Sequence, residues 1–275
     1  MSTEFFERKL NGTGAIEIHE APGFPPPRHP AEPELFARHA DIPGHNQEVF
    51  ESAQVCVVGG GGLAGWSAMS LLRTGLRNLT IIDFDFFDRT NANRQLMFGC
   101  DVGVPKAIAL AKNLVPHMIA GGTITSMAMP FAEATTAFAL SADLLLVLVD
   151  NNECRGDASR FARSRRIPAI FSMLSADSMR VHTFLQDAAP TAACLWCALP
   201  NLRLDSRMPC VSATMAGCLA SAAQVSFFAY RALMGWPENA EVFNWIAADL
   251  FGTAPDQRGV VPPRLDCPIC AATDR

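Results

Sequence analysis

The stretch 55–65, Val-Cys-Val-Val-Gly-Gly-Gly-Gly-Leu-Ala-Gly, constrains the fold of this chain more than any other. A β-branched run meets a glycine cluster. The cluster opens a helix in which Leu63, Trp66, Met69 and Leu72 recur at helical spacing until Gly75 stops it. The pattern is strand, turn, helix. Glycines let the backbone turn tightly and come close to a phosphate, which then meets the free N–H groups of the helix N-terminus. Two registers fit G-x-G-x-x-G: Gly60, Gly62 and Gly65, or Gly59 and Gly61 with Ala64 last. A glycine-rich turn can also be only a tight turn, so the motif by itself leaves both readings open.

The apolar run 79–85 ends on two carboxylates, Asp83 and Asp85, and further apolar runs occupy 123–129, 144–149, 167–171 and 179–185. Helical patterns over 106–119, 131–140 and 152–165 fall between them. This alternation predicts an α/β fold: a Rossmann-like, mainly parallel sheet with helices on both faces. Residues 1–35, with Gly-Phe-Pro-Pro-Pro-Arg-His-Pro, read as an extended Pro-rich arm, and 36–275 as one domain. A short helix and turn carrying Arg38 leads into the first strand.

With 275 residues, 49% of them apolar, the chain can bury one large core. The net charge is −5 and the basic residues gather only at 160–166, which argues against a nucleic-acid groove; those arginines read as a solvated helix face. The N-terminus has no apolar signal-peptide core, and nine cysteines, several in metal-spaced pairs, point to the reducing cytoplasm. Segment 208–230 carries no charge, but Ser, Thr and Gln interrupt it and Ala and Gly dominate. It is therefore expected to be a buried helix at a packed interface and not a membrane span.

Ligands of parallel sheets bind outside the carboxyl ends of the strands. Read together, those ends offer Gly59 to Gly62, then Asp83 and Asp85, then Asp150. Asp85 suits a ribose hydroxyl. Arg94, in Thr-Asn-Ala-Asn-Arg-Gln, and Lys106, in Val-Gly-Val-Pro-Lys, would neutralise a triphosphate, and Asp150 would hold magnesium against it. Each has a bland alternative: a surface ion pair for Arg94, an ordinary helix start for Lys106, a helix N-cap for Asp150. Singly those win; together, at successive strand ends, they lose.

Cys194 and Cys197, with Cys267 and Cys270, are two Cys-x-x-Cys pairs of the kind that bind zinc through four thiolates, here a structural clip on a C-terminal extension. Cys56 and Cys218 read as small core residues, and Cys100 and Cys154 flank the phosphate residues with no evident base. Cys210, after Pro209, stays open between a structural role and a thiol activated at a helix N-terminus.

Taken together, Gly59-Gly-Gly-Gly-Leu, Asp83-Phe-Asp85, Asn91-Ala-Asn-Arg-Gln95, Gly103-Val-Pro-Lys106, Asp150-Asn151 with Arg155 and the two cysteine pairs resemble the ThiF/MoeB/HesA adenylyltransferases, relatives of ubiquitin-activating enzymes. The resemblance runs from about Arg38 to the C-terminus. It implies an ATP site in which Gly59, Gly61, Gly62, Asp83 and Asn151 line the nucleotide, Asp85 holds the ribose, Asn91, Arg94 and Lys106 contact the phosphates, and Asp150 coordinates magnesium. It also implies that Arg38 serves the partner subunit's site, and that Cys210 stands where some members carry an acyl-accepting thiol. The implied reaction is attack of a carboxylate on the α-phosphate of ATP, giving an acyl-adenylate and pyrophosphate. The implied substrate is the C-terminus of a ubiquitin-like or sulfur-carrier protein, or a peptide. A homodimer is expected, with Ala213, Ala216, Gly217 and Ala220 admitting a second helix. The alternatives are activation of a small carboxylate, as in tRNA threonylcarbamoyladenosine dehydratases; a NAD-dependent dehydrogenase, which leaves Arg94, Lys106 and the cysteines without a role; and a non-catalytic half of a heterodimer.

Overall fold

The computed structural model describes residues 6–9, 15–20, 35–138, 140–201 and 213–270. In chain order the elements are β1 (Phe6–Lys9), β2 (Ala15–Glu20), α1 (Gln47–Ser52), β3 (Gln54–Val58), α2 (Gly62–Thr74), β4 (Asn78–Ile82), α3 (Lys106–Leu114) and β5 (Thr123–Met127). There follow α4 (Phe131–Ala137), β6 (Leu144–Val147), α5 (Asn152–Arg165), β7 (Ala169–Leu174), β8 (Arg180–Gln186), α6 (Leu195–Ala198), α7 (Met215–Met234), β9 (Trp245–Asp249) and β10 (Gln257–Gly259). Gly75 ends α2 in the left-handed region, at φ 115°, with its N–H turned back to the carbonyls of Leu71 and Leu72.

The strands form one sheet in the order β1-β2-β5-β4-β3-β6-β7-β8-β9-β10. Its centre, β5-β4-β3-β6-β7, is parallel, as the alternation of strands and helices predicts. Its flanks are antiparallel, so the sheet is mixed and not mainly parallel. The reason lies in the connections. A parallel return needs a crossover of a dozen or more residues, but β7 and β8 are joined by a tight turn in which Ser178 takes φ 58°. At the other edge, β1 and β2 come from the segment read as an extended arm; β2 pairs antiparallel with β5, Ile16 opposite Met127. The proline-rich stretch 21–34 of that arm lies outside the described residues.

Alternation along β3 distributes its side chains to two cores. Val55 and Val57 face α2, α3 and α7, whereas Cys56 and Val58 face α4, α5 and α6. Residues 215–230 of the uncharged segment lie in α7, whose host is this chain's own α2 and the β7–β8 face, while 208–212 lie outside the described residues. A Cβ on Gly217 would meet Leu174 at 3.2 Å, so that small residue serves internal packing. Ala216 and Leu219 stay exposed on the outer side. A polar chain, Thr183 with Gln224 (2.6 Å), Ser172 with Thr183 (2.9 Å) and Ser172 with Ser221 (2.7 Å), fixes α7 on the sheet, which explains why polar residues interrupt the segment. No helix among the described residues is long and apolar enough to cross a membrane.

Candidate active site and cysteine cluster

From β3 the chain runs outward through β4 to β5, and then returns to the other side of β3 as β6. This reversal opens a crevice at the carboxyl ends of β3 and β6. A cavity of about 800 Å³ lies there, and its walls include Gly59, Gly61, Gly62, Asp83, Asp85, Asn91, Arg94, Lys106, Asp150 and Asn151. The strand ends thus bring into one cavity the nucleotide residues expected from the sequence. Arg38 is elsewhere, exposed on a short 3-10 turn, and Cys210 lies outside the described residues.

The glycines divide the work. Gly59 takes φ 105°, and a Cβ there would lie 2.8 Å from the Leu148 carbonyl, so it makes the turn. Gly61 faces open space, with only Gln95 within 4.0 Å of a hypothetical Cβ, and leaves its backbone free to approach a phosphate. Gly62 and Gly65 instead make room for the 94–96 loop: their Cβ atoms would meet the Arg94 carbonyl at 3.2 Å and Leu96 Cβ at 3.0 Å. Ala64 is fully buried, so the place expected for the last glycine is filled by core packing.

The two acids after β4 differ. Asp83 accepts the N–H of Gly60 at 2.5 Å and that of Asp85 at 2.7 Å, under the glycine turn. Burial pushes its carboxyl up to about 6, against the pull of Lys106 and of those two N–H groups. Asp85 is half-exposed and pairs with Lys106 Nζ at 2.9 Å. Lys106 is the first residue of α3, where the helix dipole disfavours a cation, yet its side chain is only 13% exposed. Asp85 offsets that cost and holds the ammonium in the cavity wall.

Asp150 does not cap α5. Asn151 does, its Oδ1 accepting the N–H of Glu153 at 2.8 Å and of Cys154 at 3.2 Å, which leaves the Asp150 carboxylate exposed on the cavity. Asn91 closes a capping box with Asp88 that shapes the turn before Arg94. Among the cavity residues outside the site set drawn from the sequence are Arg155 and Gln95. Arg155 is 9% exposed; its Nη1 donates to Asn152 Oδ1 at 2.7 Å, and its Nε has no partner among the described residues. Burial lowers its pKa while Asp150 opposes. Gln95 is 6% exposed with Oε1 unpartnered in the same sense. Both sit inside the quoted motifs; their signal was an amide and a guanidinium at positions that the fold buries. The cavity thiols are quiet: burial pushes Cys154 up to about 12 and raises Cys218, against Arg94.

The second centre is the cluster of Cys194, Cys197, Cys267 and Cys270, whose sulfurs all lie within 4.8 Å of one another. The separations are 3.9 Å for 194–197 and 3.5 Å for 194–267, 197–270 and 194–270. A tetrahedron of thiolates about 2.3 Å from a metal has edges of about 3.8 Å, so the four sulfurs, none of them in a disulfide, have a spacing that could hold zinc. The Arg264 N–H donates to Cys197 Sγ at 3.3 Å. The cluster is tied to α5: Arg163 Nη1 donates to the Ala192 carbonyl at 3.0 Å, and Arg160 lies 5.3 Å over the Trp196 ring. The basic face of α5 is thus only partly solvated.

The ThiF family model matches residues 36–264. Molybdopterin-synthase adenylyltransferase of Escherichia coli K12 is 27% identical over 66% of this chain and 71% of its own length. Escherichia coli K12 tRNA threonylcarbamoyladenosine dehydratase is 43% identical, but over only 24% of this chain and 25% of its own length. The catalytic subunit of the Arabidopsis thaliana NEDD8-activating enzyme E1 is 34% identical over 30% of this chain. The chain spans only about a quarter and a fifth of the length of these last two relatives, 25% and 20%. Among solved structures, E. coli MccB with AMPCPP and MccA superposes with a TM-score of 0.71 at 18% identity, covering 89% of this chain and 76% of that one. At that identity the likeness is one of fold.

Proposed function

The chain belongs to the ThiF family, and from that premise we propose that it is an ATP-dependent adenylyltransferase, joining a carboxylate to AMP with release of pyrophosphate. The observation that carries this reading is the meeting of Arg94, Lys106 and Asp150 around the glycine turn in one cavity. Such chemistry needs positioning and charge stabilisation more than covalent help from the protein.

In this reading the N–H groups around Gly61 and the cations of Arg94 and Lys106 take the phosphates, with Asn91 and Asn151 shaping the two loops beside them. In place of the Asp85 expected from the sequence, the ribose acid in this reading is Asp83, the residue after β4 beside the turn, whose oxygens have lone pairs to spare; Asp85 serves as the partner of Lys106. Asp150 would hold magnesium, which would supply charge at the phosphates. Arg155, whose Nε has no acceptor among the described residues, is a further cation of the wall. The four cysteines hold a structural zinc.

The substrate is the C-terminus of a ubiquitin-like or sulfur-carrier protein, or a peptide. The relatives' names, with their molybdopterin synthase and NEDD8, support that class. We place the reaction in the cytoplasm. The working unit is a homodimer, in which the exposed Arg38 reaches the partner subunit's site and the outer face of α7, with Leu219 48% exposed, contributes to the contact. A monomer by sedimentation with full activity would refute that. The local 43% identity keeps a second reading, activation of a small carboxylate on tRNA; salt-sensitive tRNA binding would favour it.

The test is exchange of radiolabelled pyrophosphate into ATP with candidate carboxylates. Exchange is expected in the wild type and is expected to fall at least a hundredfold, on the order of an essential charge contact, in Asp150→Ala. Undiminished exchange in that variant would overturn the assignment.

A further inference from the structure

We propose that Trp66 is a positioning residue for Arg94, joining the Arg94 loop to the helix that carries the phosphate turn through its indole N–H. The inference rests on the reading of Arg94 as a triphosphate cation.

Trp66 lies in the second turn of α2, four residues after Gly62, so the two share one face of the helix. That face looks at the 91–96 loop. At Gly62 the missing side chain leaves the Arg94 carbonyl 3.2 Å, and Arg94 Cγ 3.4 Å, from where a Cβ would be. One turn along, Trp66 Nε1 donates to that same carbonyl at 2.9 Å. The glycine makes the approach possible, and the tryptophan fixes it.

The rest of the loop has its own anchors. Gly65 accommodates Leu96, and the Leu96 carbonyl accepts from Asn113 on α3 at 3.3 Å. The Arg94 guanidinium is braced locally, Nη1 donating to the Thr90 carbonyl at 3.1 Å and to Asn93 Oδ1 at 3.0 Å. The guanidinium contacts order the loop within itself, and the Leu96 contacts tie its far end to α2 and α3. The Trp66 bond is different because it ties the main chain of Arg94 to the element whose N-terminus would meet the phosphates. A cation and a turn that act on one triphosphate must keep a fixed separation, and small displacements cost binding and rate. An aromatic at this spacing reads in the sequence as core, yet Trp66 is only half-buried and its polar atom is committed to Arg94.

The test replaces Trp66 with β-(3-benzothienyl)alanine, in which sulfur takes the place of the indole N–H and shape is retained, with Trp66→Phe as the genetic counterpart. Binding is measured by calorimetry with α,β-methylene-ATP and, by competition, with AMP, in wild type, each Trp66 variant, Arg94→Ala and the double variants. Both Trp66 changes are expected to weaken the ATP analogue about tenfold, the order of an acceptor left without its donor. AMP, which lacks the outer phosphates, should bind unchanged, and the loss should disappear in the Arg94→Ala background. Equal loss for AMP and the analogue, additive losses in the double variants, or unchanged binding in the isosteric variant would each overturn the proposal. If Arg94→Ala itself binds the analogue like wild type, the triphosphate role of Arg94 fails and the positioning role fails with it; a deficit in Arg94→Ala with none in the Trp66 variants rejects only the positioning.

Discussion

The glycine-turn cavity is walled by charged side chains on loops at the strand ends, whereas the cysteine cluster is four sulfurs within 4.8 Å, three of them buried. In the cavity Asp85 holds the Lys106 ammonium and Asp83 holds the Gly60 N–H, contacts that a ligand could exchange, while the Asp150 carboxylate is exposed. In the cluster the four sulfurs lie close to one another. A centre for chemistry must admit and release its guest, so its residues are set by backbone shape and opposing charge. A structural metal site, as proposed for the cluster, need only stay shut, so its residues converge. The distance along the chain differs too: residues 59–150 build most of the cavity as successive crossovers, while the cluster joins 194–197 to 267–270 across α7 and β9–β10.

The comparison breaks most visibly at the clip. Cys267→Ser should lose metal and stability together, by several kcal/mol on the scale of structural zinc, as read by elemental analysis and thermal unfolding. The fraction that remains folded should bind the ATP analogue normally; loss of binding per folded molecule would mean that the two centres are not separate. A smaller effect is expected at the turn. In Gly62→Ala the new methyl would stand 2.7 Å from Cys218 Sγ, whose side chain is buried. A cost of about 1–3 kcal/mol follows from overpacking. Cys218→Ala removes that sulfur, so the double variant should recover part of the loss in unfolding measurements; strict additivity would show that the Arg94 carbonyl, 3.2 Å away, sets the limit instead.

The parallel centre of the sheet was legible because each crossover writes its own signal: an apolar run, a helix period, then a polar strand end. The antiparallel flanks were not. Val181 to Gln186 looks like any buried strand, and only the shortness of the turn at Ser178 reveals its direction. β2 was hidden because Ala15 to Glu20 alternates apolar and polar over so few residues beside a proline-rich stretch. At the site, residue types and spacing named the wall but not the division of labour. Which of Asp83 and Asp85 lies under the turn depends on strand pairing, Asp83 N donating to the Met127 carbonyl at 3.1 Å. Arg155 was in plain view in the sequence, but its burial follows from the packing of α5 on the sheet. The cysteine pairs were legible because four thiolates at such spacing have few other uses.

The smallest effect separates those two acids by pH. Burial raises the Asp83 carboxyl from an ordinary 3.8 to about 6. Its preference for the protonated form therefore contributes stability that is fully present below about 3.8 and lost as pH rises through about 6. In nucleotide-free protein, the melting temperature of wild type relative to Asp83→Asn should fall as pH goes from 4 to 6 and level off above. Nucleotide binding should run the opposite way. An ionised Asp83 is the better acceptor for ribose hydroxyls, so the affinity for α,β-methylene-ATP should weaken as pH drops below 6, by at most tenfold per pH unit. Asp83→Asn should flatten that profile, while Asp85→Asn, which frees Lys106 but leaves the carboxyl beneath the turn, should keep it. A profile that flattens in Asp85→Asn and persists in Asp83→Asn would return the ribose to Asp85.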